Sequence, residues 1–525
     1  MMKLNKKEIL ALVIILILQT VLYLTWSFQK AYIHMDEAYS LGLSSYDKVE
    51  IQHNEDFYDT WHTKDYYEDY LSLQDDEKTD FRPVYENQKN DVHPPFYYLF
   101  LRLGMFFDGG HYSKWPGVII NMIIYLFITV LMYLISKRLL QKEKHSKEKA
   151  LVVTFLAAIT MASISSVLYI RMYALATLNI VLTTYLHLLL SEDENRLRTM
   201  ILIGITALIG SLTHYYYLFF LAAMFLLFAL RFFQDKKYNL LIKYSMVMVI
   251  AGIASLSIFP HSIQHMFFGY RGQGFISKLK NTEVFLKNLL AYLAKLDLFT
   301  FHCLLTAVLI VILVIYSIQR FKKKFSKYHN PNPINARTIW VPTLFYGLIV
   351  SVASPWIELR YIMPVCGLVF ITVAYYLYLW LRTVLSEKKC NAFFAVFFTL
   401  LIIAPFGLKI TPESAFVSRK EMVDLATESH SSPALYMFNS GENRFLDDIL
   451  LFSIIDESYV AKDMDCTEEN IKTIFKDKDL SNGFFVFINS GQENDDLLAV
   501  IKKATNKQES PYIYRLNACD VYFVK

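Results

Sequence analysis

Two adjacent acids, Asp36 and Glu37, stand in the stretch YIHMDEAYSLG, directly after the first hydrophobic run of the sequence. A carboxylate close to membrane hydrocarbon is costly unless a partner or water compensates its charge. Acids at this position also gain nothing from anionic lipid headgroups. The pair therefore indicates a site, in which a carboxylate could accept the proton of an incoming hydroxyl group as general base.

Other polar side chains occur at the ends of later hydrophobic runs, on the same predicted face as the acids. They are His93 in DVHPPFYY, Arg171 and Tyr173 in YIRMYAL, His214 and Tyr215 in LTHYYYLF, and Arg360 and Tyr361 in IELRYIMP. A guanidinium group matches phosphate oxygens and stays charged. At a bilayer surface the nearest phosphate belongs to a lipid. Acids and arginines together therefore predict group transfer from a lipid-phosphate carrier.

Each of these residues also has a plainer interpretation. Tyrosines are enriched at membrane interfaces as anchors, and Arg171 and Arg360 could extend to lipid headgroups. His214 alone would suit a packing role. Two acids, two arginines and a histidine on one face favour a site. No nucleotide-binding Gly-rich loop, HExxH or GxSxG element is present, which argues against a nucleotide-sugar donor and against hydrolases. We expect no nucleic-acid partner.

The composition places these residues in a membrane protein. Of 525 residues, 54% are hydrophobic, and the mean hydropathy is +0.31. Hydrophobic runs near the length that spans a bilayer predict an α-helical polytopic protein with about eleven transmembrane helices. The predicted spans are 8–28, 115–136, 150–168, 173–190, 199–212, 214–231, 244–260, 300–318, 339–354, 361–381 and 391–409.

The segments between the spans predict the orientation in the plasma membrane. SKRLLQKEKHSKEK, RFFQDKKYNLLIK and QRFKKKFSKYHNPNPINAR are rich in Lys and Arg, which concentrate in cytoplasmic loops. All three follow even-numbered spans. We therefore expect a cytoplasmic N-terminus on an uncleaved first span, and an extracytoplasmic C-terminus.

Two segments on the predicted outer side differ in composition from the membrane spans. Within the first outer loop, 29–114, residues 46–92 carry 14 acids against 5 Lys or Arg, interleaved with aromatic residues. Interfacial helices are predicted at 94–107 and at 283–299. From 410 to 525 the alternation of strand and helix patterns predicts a small soluble α/β domain after a membrane domain at 1–409. Five cysteines without a CxxC pair give no metal or redox signature, although Cys466 and Cys519 could pair.

The motifs MDEAYS, HPPFYYL, RMYAL, THYYYL and RYIMP, in this order, resemble those of the GT-C glycosyltransferases. The resemblance is to the dolichyl-phosphate-mannose-protein mannosyltransferase-like group (glycosyltransferase families 39 and 83) and covers about residues 8–380. It implies a membrane enzyme that transfers a sugar from a polyprenyl-phosphate carrier, outside the cytoplasm, with inversion at the anomeric carbon.

The resemblance also implies roles for individual residues. Asp36 matches the first-loop acid thought to act as base, and Glu37 matches its supporting or sugar-binding neighbour. His93 matches the second loop element, His214 and Tyr215 match an outer polar pair, and Arg171 and Arg360 match positions near the lipid phosphate. Tyr173 and Tyr361 accompany these arginines. Some relatives bind a divalent metal, for which Asp36, Glu37, His93 and His214 are the candidate ligands.

The acceptor remains open: an envelope glycan, a lipid or a protein, with aminoarabinose-like or mannosyl transfer as variants. The C-terminal module differs from the eukaryotic mannosyltransferase pattern, which weighs against protein acceptors. A transporter or flippase of lipid-linked sugars is the alternative function. It would place polar groups at mid-membrane and repeat one half of the chain in the other, and neither pattern is seen. A sensor would leave the acids and arginines unexplained.

Overall fold

The computed structural model describes residues 4–46, 51, 54–194, 196–268, 282–321, 332–438, 445–489, 494–516 and 519–525. These residues form two compact units. The helical unit comprises Met1–Phe28, Gln88–Tyr97 and Val118–Ala415. The sheet unit comprises Gln29–Asn87, Tyr98–Gly117 and Phe416–Lys525. The domain boundary predicted at residue 410 stays a prediction.

Eight helices among the described residues are long and apolar enough to cross a membrane. They are Lys6–Gln29, Trp115–Leu139, Tyr173–Glu192, Tyr216–Gln234, Tyr238–Ile258, Pro333–Ala353, Met363–Val384 and Glu387–Gly407. An α-helix pairs most of its backbone polar groups within itself, as hydrocarbon requires. The chain is a multi-pass membrane protein, as its hydropathy predicts.

The other predicted spans are bent or short. Ser146–Ala158 and Met161–Leu168 meet at 52°, and Glu283–Phe301 and Leu304–Val314 meet at 101°. The helix Leu197–Ser211 has 15 residues, which is about 22 Å of helix. Together with the eight long helices, these elements account for the eleven predicted runs. The predicted interfacial helix 283–299 forms the first arm of the second bent pair. Residues 322–331 of the predicted basic loop lie outside the described residues.

Ion pairs join several helices at the end where the first helix begins. Glu8 accepts a hydrogen bond from Lys137, which lies in the last turn of Trp115–Leu139. The ammonium of Lys147, in the first turn of Ser146–Ala158, lies 3.4 Å from the same carboxylate. The start of the first helix, the end of Trp115–Leu139 and the start of Ser146–Ala158 therefore lie at one face of the helical unit.

Among its described residues, the sheet unit contains six strands in the order β1-β3-β2-β4-β6-β5. Their bounds are β1 Trp61–Thr63, β2 Ala434–Phe438, β3 Glu457–Lys462, β4 Phe484–Asn489, β5 Tyr512–Arg515 and β6 Cys519–Val524. The central strand β2 pairs in parallel with β3 and β4, while β1, β5 and β6 join antiparallel. Every residue of β4 is buried, which suits its apolar sequence FFVFIN.

Both the first loop and the C-terminal segment contribute to this unit. Its helices are Met35–Ser45, Lys64–Leu71, Lys420–Glu428, Ile449–Phe452, Glu468–Ile474 and Asn494–Thr505, while Arg82–Asn90 and Phe96–Met105 complete the first loop. The strands predicted at ALYMFN, GFFVFINS and YIYRL…CDVYFVK form, together with β3 and with the edge strand β1 from the first loop. Cys466 and Cys519 are both free thiols, so they do not pair.

Candidate functional site

The helix Met35–Ser45 carries both acids in its first turn. The backbone N–H of Asp36 donates to Nδ1 of His34 at 3.0 Å, and the backbone N–H of His34 donates to Oε2 of Glu37 at 2.8 Å. This reciprocal capping satisfies two donors that the start of a helix would otherwise leave unpaired. The positive end of the helix dipole also favours acids here. The local sequence therefore determines where this helix begins.

The two acids lie in different environments. The Glu37 side chain is fully buried, and its oxygens lie 3.0 and 3.1 Å from Nζ of Lys30, which is also buried. Burial lowers the pKa of Lys30, and the charge of Glu37 opposes that shift. The Asp36 side chain keeps 16% of its surface exposed. Asp36 is therefore the more exposed of the two acids, whereas Glu37 is held within the fold by Lys30.

A distant segment of the sheet unit holds the residues just before Asp36. The hydroxyl of Tyr32 donates to the carbonyl of Asp447 at 2.6 Å, and the N–H of Met35 donates to Oδ1 of Asp447 at 3.2 Å. The guanidinium of Arg419 lies 4.7 Å from the centre of the Tyr32 ring. These contacts span more than 380 residues of sequence, so no local pattern predicts them.

The other seven predicted site residues belong to the helical unit, and six of them form one cluster. The rings of His93 and His214 lie 6.0 Å apart, and Tyr173 lies 5.3 Å from His214 and 6.2 Å from Tyr361. Nη2 of Arg171 is 3.5 Å from Nδ1 of His93. These residues come from four separate segments of the chain.

Arg360 reaches this cluster from the turn Leu359–Tyr361. Its Nη1 donates to the hydroxyl of Tyr169 at 2.8 Å, and its guanidinium lies over the rings of Tyr169 and Tyr361. Tyr169 in turn lies 5.9 Å from Tyr173. Arg360 is 8% exposed and Arg171 is 4% exposed. The cluster thus combines two buried guanidinium groups with histidine and tyrosine side chains, which suits a phosphate oxygen.

The hydrogen bonds around His93 identify its tautomer. Nδ1 lies 2.9 Å from Oδ2 of Asp91, so it carries a proton and donates to that carboxylate. Nη2 of Arg171 lies farther away, 3.5 Å from the same nitrogen. Both nitrogens are donors in this tautomer, so this contact is not a hydrogen bond. Asp91 therefore orients the imidazole ring, and it is not among the site residues predicted from the sequence.

Tyr215 takes part in a neighbouring network. Its hydroxyl lies 2.9 Å from Nδ1 of His265, and Nε2 of His265 lies 3.1 Å from the carbonyl of Lys89. Because a carbonyl only accepts, Nε2 of His265 donates to it, and Nδ1 accepts from Tyr215. Tyr215 thereby connects the segment before Tyr216–Gln234 to the segment before His93, apart from the aromatic cluster.

A partly exposed charge network lies near Arg360. Nζ of Lys295 lies 2.7 Å from Oε1 of Glu413 and 3.7 Å from Oε2 of Glu358. Burial raises the pKa of Glu413, while Lys295 and Arg360 act against that rise. The N–H of Glu413 donates to Oγ of Ser165 at 2.9 Å. No motif in the sequence singled out Lys295 or Glu413.

The proposed metal ligands do not assemble into a metal site within the described part of the chain. There, no group of three or more His, Cys, Asp or Glu side chains could hold an ion. Lys30 engages Glu37, and Asp91 engages Nδ1 of His93. A metal requirement stays a prediction.

The solved structures that this chain resembles include two of one protein. The crystal structure of ArnT from Cupriavidus metallidurans bound to undecaprenyl phosphate aligns with a TM-score of 0.51 and 11% identity, over 97% of each chain. The structure of the same protein in its apo state aligns with a TM-score of 0.47, 11% identity and the same coverage. No family model and no curated protein matches the sequence. At 11% identity this likeness shows the fold alone, and the predicted polytopic helical fold with a small C-terminal sheet region is confirmed.

Proposed function

We propose that this protein is a membrane glycosyltransferase that moves a sugar from a polyprenyl-phosphate carrier to a hydroxyl group of an envelope glycan, lipid or protein. The observation that carries the proposal is the cluster of Arg171, Arg360, His93 and His214 in the helical unit of a GT-C fold. The ArnT structure of the same fold is bound to undecaprenyl phosphate, which supports a carrier of this class.

The arginine cluster is assigned to the leaving group. When the bond between the anomeric carbon and the phosphate oxygen breaks, its electron pair stays on the phosphate. Buried guanidinium groups that are already in place stabilise such developing charge more than water does. Tyr169 fixes Arg360 through a hydrogen bond of 2.8 Å, so little reorganisation is needed when the charge forms.

Asp36 is assigned as the base. Its carboxylate would take the proton of the acceptor hydroxyl while the hydroxyl oxygen attacks the anomeric carbon opposite the phosphate. One displacement of this kind inverts the anomeric centre, and the products are the glycosylated acceptor and polyprenyl phosphate. Glu37 is buried in an ion pair with Lys30, and Asp36 is the more exposed carboxylate of the two. We place the reaction at the extracytoplasmic face, in line with the basic loops.

The test uses the full-length protein in lipid nanodiscs with undecaprenyl phosphate linked to mannose, glucose, galactose or aminoarabinose, and an envelope extract as acceptor. Mass spectrometry measures the undecaprenyl phosphate released. We expect the Asp36→Asn variant to lose about 10²–10⁴-fold in rate. Asp75→Asn is the matched control, because Asp75 is a highly exposed acid of the same loop.

A second measurement does not need the acceptor. Native mass spectrometry of undecaprenyl phosphate binding should show weaker binding by Arg171→Ala and Arg360→Ala, and unchanged binding by Asp36→Asn. Equal release by wild type and Asp36→Asn would refute the base assignment. Unchanged binding by both arginine variants would refute the phosphate assignment.

A further inference from the structure

A cavity of about 310 Å³ lies among four membrane helices of the helical unit, and none of the predicted site residues lines it. The helices are Trp115–Leu139, Ser146–Ala158, Met363–Val384 and Glu387–Gly407. Polar residues at their ends line it, namely Ser136, His145, Glu148, Lys149, Tyr378 and Asn391. Two of these ends, those of Trp115–Leu139 and Ser146–Ala158, meet at Glu8, so this is the face where the first helix begins.

The cavity changes from polar to apolar along the helices. From Tyr378 and Asn391 at one end it extends to Ile371 and Phe398, which are seven residues away on the same helices. At a rise of 1.5 Å per residue this is about 10 Å. Val152 in its wall is 45% exposed, so the cavity opens at the apolar surface of the unit. A polar end and an apolar length match the two parts of a phospholipid.

Lys149 provides a positive charge at the polar end. Its Nζ donates to the hydroxyl of Tyr378 at 2.8 Å and lies 4.4 Å from the centre of that ring. The Tyr378 hydroxyl donates onward to Glu143 at 3.2 Å. The charges of Glu143 and Glu387 act on Lys149, but within the described ranges neither forms an ion pair with it, so its direct acceptor is a neutral hydroxyl. A cation at the edge of hydrocarbon is stabilised by an anionic partner.

Ser136 and the flanking charges also favour an anion at this end. The buried hydroxyl of Ser136 has no hydrogen-bond partner among the described residues. The segment 142–149, KEKHSKEK, has four Lys and two Glu, and the segment 382–389, RTVLSEKK, has three basic residues and one Glu. Basic residues beside a membrane surface attract anionic lipids, by about 1 kcal/mol each.

We propose that this groove is a binding site for an anionic phospholipid. One acyl chain lies along the apolar wall between Ile371 and Phe398, and the headgroup phosphate lies at Lys149. The site is separate from the residues assigned to sugar transfer. The proposal does not depend on the proposed function, because it requires only that the helical unit crosses a lipid bilayer.

Native mass spectrometry of the purified full-length protein tests this site. The protein is titrated with palmitoyl-oleoyl phosphatidylglycerol and, separately, with the corresponding phosphatidylcholine. We expect the first lipid to bind more tightly. Lys149→Gln should weaken phosphatidylglycerol binding about five-fold, because the variant loses the attraction of one basic residue for an anionic lipid. Lys149→Arg keeps the positive charge and should restore the binding.

A matched pair of variants tests the apolar part. Ala395→Trp fills the groove, whereas Ala392→Trp adds the same side chain at an exposed position of the same helix that does not line it. We expect Ala395→Trp to remove one bound phosphatidylglycerol and Ala392→Trp to keep it. The proposal is overturned if both tryptophan variants bind like wild type, if Lys149→Gln binds like wild type, or if phosphatidylcholine binds as tightly as phosphatidylglycerol.

Discussion

The ion pair of Lys30 and Glu37 holds the start of the helix that carries Asp36. Both side chains are fully buried, and the ammonium lies 3.0 Å from one carboxylate oxygen and 3.1 Å from the other. Lys30→Ala would remove the ammonium that pairs with the buried Glu37 carboxylate, while the hydrogen bond from the N–H of His34 would stay. Breaking a buried pair in this way costs about 3–5 kcal/mol.

This cost can be expressed as a melting temperature. For a domain of roughly 200 residues, 1 kcal/mol lowers Tm by about 2–4 °C, so Lys30→Ala should lower the Tm of the sheet unit by about 6–20 °C. Thermal unfolding of the purified protein, followed by aromatic fluorescence, measures this shift. The double variant Lys30→Met with Glu37→Gln should regain much of the loss, because no unpaired charge is then buried.

The control is an exposed ion pair of the same unit. Lys64 lies 2.7 Å from Asp456, but the two side chains are 44% and 37% exposed. Exposed pairs contribute about 0–1 kcal/mol, so Lys64→Ala should barely change Tm. If Lys30→Ala and Lys64→Ala lower Tm equally, the buried pair does not stabilise the helix start as argued.

Three further predictions concern single residues. Gly42→Ala would place Cβ 2.2 Å from the buried ring of Tyr70 and should cost about 1–3 kcal/mol in thermal unfolding, whereas Gly252→Ala meets no atom within 4 Å and should be neutral or stabilising. Burial raises the pKa of Asp448 well above its ordinary value, so stability falls as pH rises above the unfolded-state pKa of about 3.9; Asp448→Asn should therefore raise Tm more at pH 8 than at pH 5. Arg360→Ala should lower the transfer rate about 10²–10³-fold and Arg360→Lys by less, in the release assay.

The hydrophobic runs and the polar residues at their ends were predictable from the sequence. Insertion of a helix into hydrocarbon depends on its own residues, so hydropathy locates each span without knowledge of its neighbours. The helix start at His34 was equally local, since capping uses residues within three positions. The C-terminal strands followed from their apolar patterns, as in FFVFIN of β4.

The contacts between segments that are distant in the sequence were not predictable in this way. The edge strand β1 pairs with β3 almost 400 residues later, and three residues such as WHT carry no strand pattern of their own. Glu37 and Asp36 are neighbours in sequence, yet only the fold brings Lys30 to one of them and leaves the other exposed. Tyr215 adjoins His214 but contacts His265 instead of the aromatic cluster.

The sequence by itself therefore determined the membrane class of this protein, its hydrophobic runs, and the set of residues that we predict to form a lipid-phosphate site. The tertiary structure decided which of them meet: Arg171 with His93, Arg360 with Tyr169, and Lys30 with Glu37. The physical reason is the distance along the sequence over which each effect acts. Hydropathy and capping act over a few residues, whereas a buried charge is stabilised by whichever partner the folded chain brings within about 4 Å.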